Sequence, residues 1–279
     1  MSQNPCNRQL VSVVIRSIGR PSIDQALWSV ERQDYRYIEI LIVNARAKSH
    51  PALPSGLTLP VKLVEINCDL NRPQAANVGL DHSCGDYIIF LDDDDFFEHN
   101  HISSLLTCLK AKPDQLVAYA GTRILGDEGD NRGELSLPFN RLELLKFNYI
   151  QIGAALFSAQ LLALGCRFDE DMLLFQDWDF WIQACRWSAF TFTGQTTGNW
   201  HAFSGCSGAG FGKNLNNETN ALYRKKILEK WSTLRCRLTQ KYKYARERGG
   251  LLASTGRHGD AQKWIASAHS IISGKLYTE

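Results

Sequence analysis

The sequence predicts an α/β fold, with a mostly parallel, Rossmann-like sheet flanked by helices and a helical extension at the C-terminal end. Strand patterns rich in β-branched residues alternate with helical patterns from Val11 to Ala111, which is typical of parallel sheets with right-handed crossovers. Farther along, apolar residues recur at helical spacing from Glu218 onward. We therefore expect one domain over residues 1–215 and a helical extension over residues 216–279 of the 279-residue chain.

The first half contains four strand patterns in regular alternation with loops and helices. Strands are predicted at Val11–Ile15, Ile38–Val43, Val61–Ile66 and Tyr87–Leu91. Helices are predicted at 22–33, 73–80 and 101–111. Ser22 can cap the first of these helices, and Pro73 suits the first turn of the second.

The second half is less regular. Strands are predicted at Val117–Thr122, Ala154–Ser158 and Phe190–Thr193, and a helix at Asp177–Trp187. The segment 194–211 is rich in glycine and serine and is predicted to be a loop. The extension is predicted as one helix from Glu218 to about Arg246, broken by Gly249 and Gly250, and a final helix near 260–272.

Composition excludes several classes of protein. Apolar residues make up 44% of the chain and charged residues 22%, so we expect a packed globular core. No apolar run approaches the roughly 18 residues of a membrane-spanning helix, and the first ten residues lack the apolar core of a signal peptide. The eight cysteines form no C-x-x-C pair, which argues against a zinc knuckle. We expect a cytoplasmic protein.

Basic charge is concentrated in the extension. The segment 224–248 holds ten Lys or Arg residues and two acids, whereas the whole chain has a net charge of +2. Its apolar stripe (Ile227, Trp231, Leu234 and Leu238) favours docking on the domain. The competing interpretation is peripheral contact with an anionic membrane surface. Nucleic acid is not an expected partner, because no recognition motif accompanies the charge.

Four aspartates, Asp92–Asp95, follow the apolar strand that ends at Leu91, where parallel sheets bind ligands. Carboxylates this close repel one another, and a hard cation such as Mg2+ or Mn2+ relieves that repulsion. A simpler interpretation is an acidic helix start. Three types of site could use these aspartates. Phe96 argues against a haloacid-dehalogenase-type phosphatase, and the absence of a G-x-G-x-x-G motif argues against a dinucleotide-binding site. A nucleotide-sugar transferase is the third type.

Three segments support that third type: "VSVVIRSIGRP" from Val11, "AANVGLDHSCGDYIIFLDDDD" from Ala75 and "FDEDMLLFQDWDFW" from Phe168. In this order and spacing, the chain resembles the family 2 glycosyltransferases, which have the GT-A fold, over about Ser12 to Gly210. The resemblance implies inverting, Mn2+- or Mg2+-dependent transfer of a sugar from a nucleotide donor to a hydroxyl. The implied acceptor is a polysaccharide, a glycolipid or another glycan, and a lipid-linked acceptor would place the protein at the inner face of the cytoplasmic membrane.

The resemblance also implies roles for individual residues. Asp177 matches the catalytic base. Asp94 matches the metal ligand, and His201 the histidine that contacts the metal or the diphosphate before a loop containing Gly205, Gly208 and Gly210. The set implied to form the nucleotide-sugar site is the backbone at Arg16 and Ser17 near the base, Asn44, Arg72 at a phosphate, Asn77 fixing the loop beneath the donor, Asp92 at the ribose or a metal-bound water, and Asp93.

Two departures from the family pattern bear on function. Asn44 and Ala45 replace the Asp-Asp pair, which puts a preference for uridine in doubt. Gln176 replaces the glutamate before the base and should leave the pKa of Asp177 lower than a Glu neighbour would. Trp178 and Trp200 are the candidates for stacking on the acceptor sugar. The rival functions are a metal-dependent phosphohydrolase and a non-catalytic protein that binds nucleotides or glycans.

Overall fold

The computed structural model describes residues 9–202 and 218–274. Nine strands are found in this part of the chain: β1 Val11–Ser17, β2 Ile38–Asn44, β3 Val61–Glu65, β4 Tyr87–Asp92, β5 Phe96–Phe97, β6 Val117–Leu125, β7 Asn131–Leu135, β8 Ala155–Ser158 and β9 Phe190–His201. Its α-helices are α1 Ile23–Glu31, α2 Arg72–His82, α3 His101–Ala111, α4 Arg141–Leu144, α5 Gln160–Ala163, α6 Gln176–Ala184, α7 Glu218–Lys230, α8 Ser232–Ser254 and α9 His258–Ser273.

All nine strands belong to one sheet, in the order β3-β2-β1-β4-β8-β6-β9-β5, with β7 beside β6. The first four are mutually parallel, β8 is antiparallel to both its neighbours, and β6 and β9 are parallel. The carboxyl ends of β1 and β4 therefore lie side by side, with Arg16 opposite Asp92. The predicted α/β fold with flanking helices is confirmed.

Each face of the sheet is covered by its own apolar core. Successive side chains of a strand point to opposite faces, so Val14 joins one core while Val13 and Ile15 join the other. Helix α2 approaches β1 closely at Gly79, where an added Cβ would lie 2.3 Å from Cγ1 of Val14. This close approach requires glycine and fixes α2 against the strand that carries Arg16.

The C-terminal helices dock on the domain, as the apolar stripe predicted. Ile227, Leu238 and Ile271 are buried in the same core as Val14. The fully buried Arg141 donates from Nη1 to the carbonyl of Ile271 and from Nη2 to that of Gly274, both at 2.6 Å. The boundary predicted at 215/216 lies outside the described residues. None of the described helices combines the length and apolar character needed to cross a membrane.

Two sequence-based boundaries were wrong. The predicted loop over 194–211 is strand as far as His201, and the rest, with its three glycines, lies outside the described residues from residue 203 onward. Gly249 and Gly250 lie inside α8, and the helix is instead interrupted at Trp231. Gly249 is tolerated there because α9 packs against it: an added Cβ would lie 3.1 Å from Cγ1 of Ile265.

Candidate active site

Burial alternates along the acidic run at the end of β4. Asp93 and Asp95 are buried, with 2% and 3% of their surface exposed, whereas Asp92 and Asp94 are partly open. The run therefore splits into two pairs. The open pair has the D-x-D spacing and faces a potential ligand, and the buried pair holds the surrounding backbone.

Asp93 organises the turn after β1. Its Oδ2 accepts hydrogen bonds from the hydroxyl of Ser17 at 3.0 Å and the backbone N–H of Ile18 at 2.9 Å, and its Oδ1 accepts from Arg20 at 2.7 Å. Ser17 is itself fully buried. Asp93 was expected to contact the nucleotide sugar, but its side chain is buried and shapes the turn instead. The expected contact of the backbone at Arg16 and Ser17 with the base stays a prediction.

Asp95 joins the acidic run to β9 and to the loop before β8. Its Oδ1 accepts from the backbone N–H of His201 at 2.9 Å, and its Oδ2 from the amide of Gln151 at 3.0 Å. Burial raises the pKa of Asp95 well above its ordinary value, and the charges of Asp92 and Asp94 raise it further. This aspartate supports the loop that carries the open pair.

The open pair is balanced by two arginines. Nη2 and Nε of Arg16 donate to Oδ1 of Asp92 at 2.6 and 2.9 Å. Arg20 Nη1 donates to Oδ2 of Asp94 at 2.8 Å. Burial and the charge of Asp92 nevertheless raise the pKa of Asp94, against the opposing effect of Arg20. Arg20 therefore does not fully offset the burial and repulsion that disfavour a negative charge on Asp94.

Asp177 lies in the first turn of α6, directly after a strained entry. Phe175, the residue before the helix, has φ +59°, the one positive φ at a non-glycine residue in the described chain. Asp177 Oδ1 accepts from the backbone N–H of Trp178 at 2.8 Å, and Oδ2 from Asn148 at 3.0 Å. These two bonds fix the carboxylate with both oxygens oriented.

Asp177 shares its site with the acidic run. Burial raises the pKa of Asp177, its hydrogen bonds and the charge of Arg16 oppose that rise, and the charge of Asp92 adds to it. One short segment also contacts both groups: Asn148 donates to Asp177 and Gln151 donates to Asp95, each at 3.0 Å. The fold therefore brings the candidate base close to the candidate donor site, although 85 residues separate Asp92 from Asp177 in the sequence.

His201 also reaches the acidic run. Its Nδ1 hydrogen-bonds to the backbone carbonyl of Asp94, and its ring lies 5.5 Å from that of Phe96. Because Nδ1 is engaged, Nε2 is the nitrogen that could face a metal. The position fits the predicted role, which stays a prediction.

The residues present fit a hard divalent cation bound together with a substrate. Within residues 9–202 and 218–274, no three His, Cys, Asp or Glu side chains form a ready-made metal cluster. Mg2+ and similar ions, however, are commonly held by one or two carboxylates together with phosphate oxygens and water. Asp94, with its raised pKa and surplus neighbouring negative charge, suits that arrangement.

Two of the asparagines predicted to bind donor have structural partners instead. Asn44 is 2% exposed; it donates to the carbonyl of Lys48 and accepts from the N–H of Arg46, so it shapes its own loop and does not read a base. Asn77 exchanges hydrogen bonds with the backbone of Phe168 and holds the segment before α6. That agrees with a loop-fixing role and not with donor contact. Arg72 lies at the start of α2, and its phosphate role stays a prediction.

Trp178 is not placed to stack on an acceptor sugar, contrary to the prediction. It is 1% exposed, and its indole N–H donates to the carbonyl of Leu144, so the side chain is part of the core. Trp200 is partly exposed on β9, and strand alternation places it on the opposite face from His201. Its role stays a prediction.

Sequence reasoning missed three residues that complete the site: Arg20, Asn148 and Gln151. Arg20 lies in the segment "VSVVIRSIGRP", and a positive charge so close to the first strand could have identified it as a partner of the aspartates. Asn148 and Gln151 come from the irregular segment before β8, where no periodic pattern predicts a contact with Asp177 or Asp95.

Comparison with known proteins gives one family. The family model described as "Glycosyl transferase family 2" matches residues 12–163, which is more than half of the chain. The amylovoran biosynthesis glycosyltransferase AmsB of Erwinia amylovora is 26% identical over 208 residues, which cover 68% of this chain and 69% of that protein. The putative colanic acid biosynthesis glycosyl transferase WcaA of Escherichia coli (strain K12) is 27% identical over 187 residues, covering 63% of this chain and 66% of that protein.

Solved structures share the fold. The S. aureus TarS 1–349 structure in complex with UDP-GlcNAc superposes with a TM-score of 0.56 at 14% identity, covering 94% of this chain and 82% of that one. At such low identity the similarity shows a common fold.

Proposed function

Because the chain belongs to the family 2 glycosyltransferases, we propose that it transfers a sugar, with inversion, from a nucleoside-diphosphate donor to a hydroxyl acceptor with the help of Mn2+ or Mg2+. The observation that carries this proposal is that the segment from Asn148 to Gln151 donates hydrogen bonds both to Asp177 and to Asp95 of the acidic run, which holds the two sets of carboxylates near each other. An inverting displacement needs a base on the side of the sugar opposite the leaving group. A donor held at the open aspartates would leave Asp177 in that place.

Each residue then has a distinct task. Asp94, with His201, would hold the cation, which when bound supplies positive charge to the leaving diphosphate. Asp177 would take the proton of the acceptor hydroxyl while its oxygens are held by Asn148 and the N–H of Trp178. Asp93 and Asp95 keep the loop between these groups in place.

The acceptor that we propose is a growing polysaccharide or a lipid-linked glycan. AmsB and WcaA carry the names of amylovoran and colanic acid biosynthesis, which supports a polysaccharide. The exposed basic side chains of α8, among them Arg237, Lys241 and Arg248, would make peripheral contact with an anionic membrane that carries such an acceptor. We propose a cytoplasmic protein working at the inner face of that membrane.

Two linked measurements test the proposal. The first is a thermal-shift screen of nucleoside diphosphates with Mn2+, in which a ligand at 100 times its Kd adds about 2.7 kcal/mol of stability. The second is release of nucleoside diphosphate from nucleotide sugars in the presence of glycan acceptors. Asp94→Ala should abolish both signals, and chelation of the metal should abolish turnover.

The outcomes separate the rival functions. Turnover that survives in Asp177→Asn would favour a phosphohydrolase. Nucleotide binding without release of diphosphate, for any donor and acceptor, would favour a non-catalytic binding protein. The absence of a thermal shift with every nucleotide would overturn the donor site itself.

A further inference from the structure

Arg16 is a buried cation at the centre of the site. It lies on β1 directly opposite Asp92 on β4, and 5% of its side chain is exposed. Nε and Nη2 both donate to the same oxygen, Oδ1 of Asp92. One edge of the planar guanidinium is therefore fully occupied by a single carboxylate oxygen.

The remaining nitrogen of Arg16 has no partner. Nη1 is buried and makes no hydrogen bond with any residue in the described part of the chain. Since Nε and Nη2 occupy the edge that faces Asp92, the hydrogens of Nη1 point away from that carboxylate. Buried donors without partners are rare in folded proteins, and each one calls for an explanation such as a ligand.

Asp92 offers a complementary group beside Nη1. Both bonds from Arg16 go to Oδ1, and Oδ2 accepts no hydrogen bond from the residues described here. The Asp92 side chain is 27% exposed, so Oδ2 is accessible. The ion pair is neutral as a whole and presents one donor and one acceptor, which matches neutral hydroxyl groups better than a phosphate.

The pair also lies where a sugar must be. Asp92 precedes Asp94, the residue proposed at the diphosphate, by two positions, and the segment from Asn148 to Gln151 joins Asp177, the proposed base, to Asp95 of the same run. In an inverting displacement, the transferred sugar occupies the space between the leaving group and the base. Arg16 and Asp92, paired at the ends of β1 and β4 in the same part of the sheet edge, would therefore meet the sugar.

We infer that Arg16 and Asp92 bind the transferred sugar, with Nη1 donating to one hydroxyl oxygen and Oδ2 of Asp92 accepting from a neighbouring hydroxyl. This inference rests on the proposed function and assigns the Arg16 side chain to the sugar, where the family resemblance implied only its backbone near the base. It makes Arg16 a residue that distinguishes a nucleotide sugar from the free nucleotide.

The test compares the affinities of paired ligands by calorimetry on the full chain with Mn2+. The pairs are UDP-glucose, UDP-N-acetylglucosamine and UDP-galactose against UDP, and GDP-mannose against GDP. Arg16→Lys keeps the positive charge beside Asp92 but cannot present Nη1. We expect it to weaken binding of the preferred nucleotide sugar about tenfold, a change of about 1.4 kcal/mol, and to leave binding of the free diphosphate unchanged.

Arg167→Lys is the matched control, because Arg167 also pairs with an aspartate at 2.6 Å but on the surface, at Asp81. It should leave both affinities unchanged. Circular dichroism checks that each variant is folded.

A second experiment needs no mutation and uses donors that each lack one sugar hydroxyl. The donor that lacks the hydroxyl bound by Arg16 should bind the unmodified protein about tenfold more weakly, and Arg16→Lys should be insensitive to loss of that hydroxyl.

The results distinguish failure of the role inferred for Arg16 from failure of the proposed function. Equal losses for nucleotide sugar and free diphosphate, or no loss for either, would overturn the role of Arg16 while leaving the donor site intact. If Arg16→Lys does not fold, full affinity of the unmodified protein for every deoxy donor would overturn it instead. Failure of the unmodified protein to bind any of these nucleotides would overturn the proposed function.

Discussion

Trp231 donates its indole N–H to Oδ1 of Asp179 at 2.7 Å, which joins the break between α7 and α8 to the first turn of the helix that carries Asp177. Asp179 is fully buried and also accepts from Lys230 and Gln183, at 3.0 and 2.8 Å. The docked extension therefore contributes directly to the position of the proposed base.

Asp179→Ala should lower the free energy of unfolding by about 3 kcal/mol, because it leaves the N–H of Trp231 and the ammonium of Lys230 without a buried partner. Turnover should fall at the same time, since α6 loses its support. Chemical denaturation and a steady-state assay measure the two effects.

Asp169→Ala is the control, because Asp169 pairs with the same lysine at 2.6 Å but is 27% exposed. A loss of about 1 kcal/mol or less is expected there. Equal losses for the two variants would show that the contact with Asp179 has no special importance.

Asp177→Asn should reduce turnover by about 10²–10⁴-fold, the usual contribution of a general base, while nucleotide binding is retained. Burial raises the pKa of Asp177 above 3.8, so the folded state favours the protonated form. The stability that Asp177 contributes is therefore present at low pH and is lost as pH rises through its folded pKa. Asp177→Asn should accordingly be at least as stable as the unmodified protein at neutral pH.

The raised pKa of Asp177 also predicts how activity depends on pH. The base works only when ionised, so turnover should fall on acidification at a higher pH than an ordinary aspartate would allow. A rate profile whose acidic limb lies at or below pH 3.8 would contradict the burial of this carboxylate. Denaturation curves collected over the same range separate loss of activity from unfolding.

Arg141→Met should destabilise the protein by about 3 kcal/mol or more. Its guanidinium satisfies the carbonyls of Cys185, Ile271 and Gly274, and each buried carbonyl left unpaired costs about 1–3 kcal/mol. Arg257→Met removes an exposed pair with Asp260 and should have a much smaller effect on stability. Thermal denaturation of both variants measures the difference, and similar losses of stability would argue against a structural role for the buried guanidinium of Arg141.

Gly250→Ala should stabilise the protein by about 0.5–1 kcal/mol, because the residue is exposed inside α8 and an added Cβ meets no atom within 4 Å. Gly79→Ala is the opposing variant, since its Cβ would overlap Val14. A stabilised Gly79→Ala would contradict the close packing of α2 on β1.

The sequence predicted most reliably those parts of the fold that have regular periodicity. The strands ending at Asn44 and Asp92 are apolar runs, and their parallel pairing places the D-x-D at a sheet edge. The continuation of β9 to His201 was not predictable from its local glycine and serine content. That strand is stabilised by pairing with β6, a contact between distant segments that no local pattern records.

In the candidate site, too, the sequence predicts some residues and not others. The family resemblance selected Asp94 and Asp177, but it could not show that Asp93 is buried while Asp92 is open, because alternate burial depends on how the turn after β4 packs against Ser17 and Ile18. Trp178 was assigned to the acceptor for its aromatic ring. Its burial follows from the packing of α6 near Leu144, which a single sequence does not reveal.

The hydrogen bonds from Arg141 to carbonyls near the C-terminal end have a consequence for folding during protein synthesis. Its partner at Ile271 lies 130 residues farther along the chain. While a ribosome is still adding those residues, Nη1 and Nη2 of the guanidinium lack the carbonyls of Ile271 and Gly274, and the middle of the domain cannot reach its final packing. Newly made protein should therefore acquire protease resistance late, after the segment around Ile271 has left the exit tunnel, and it would depend on chaperones until then.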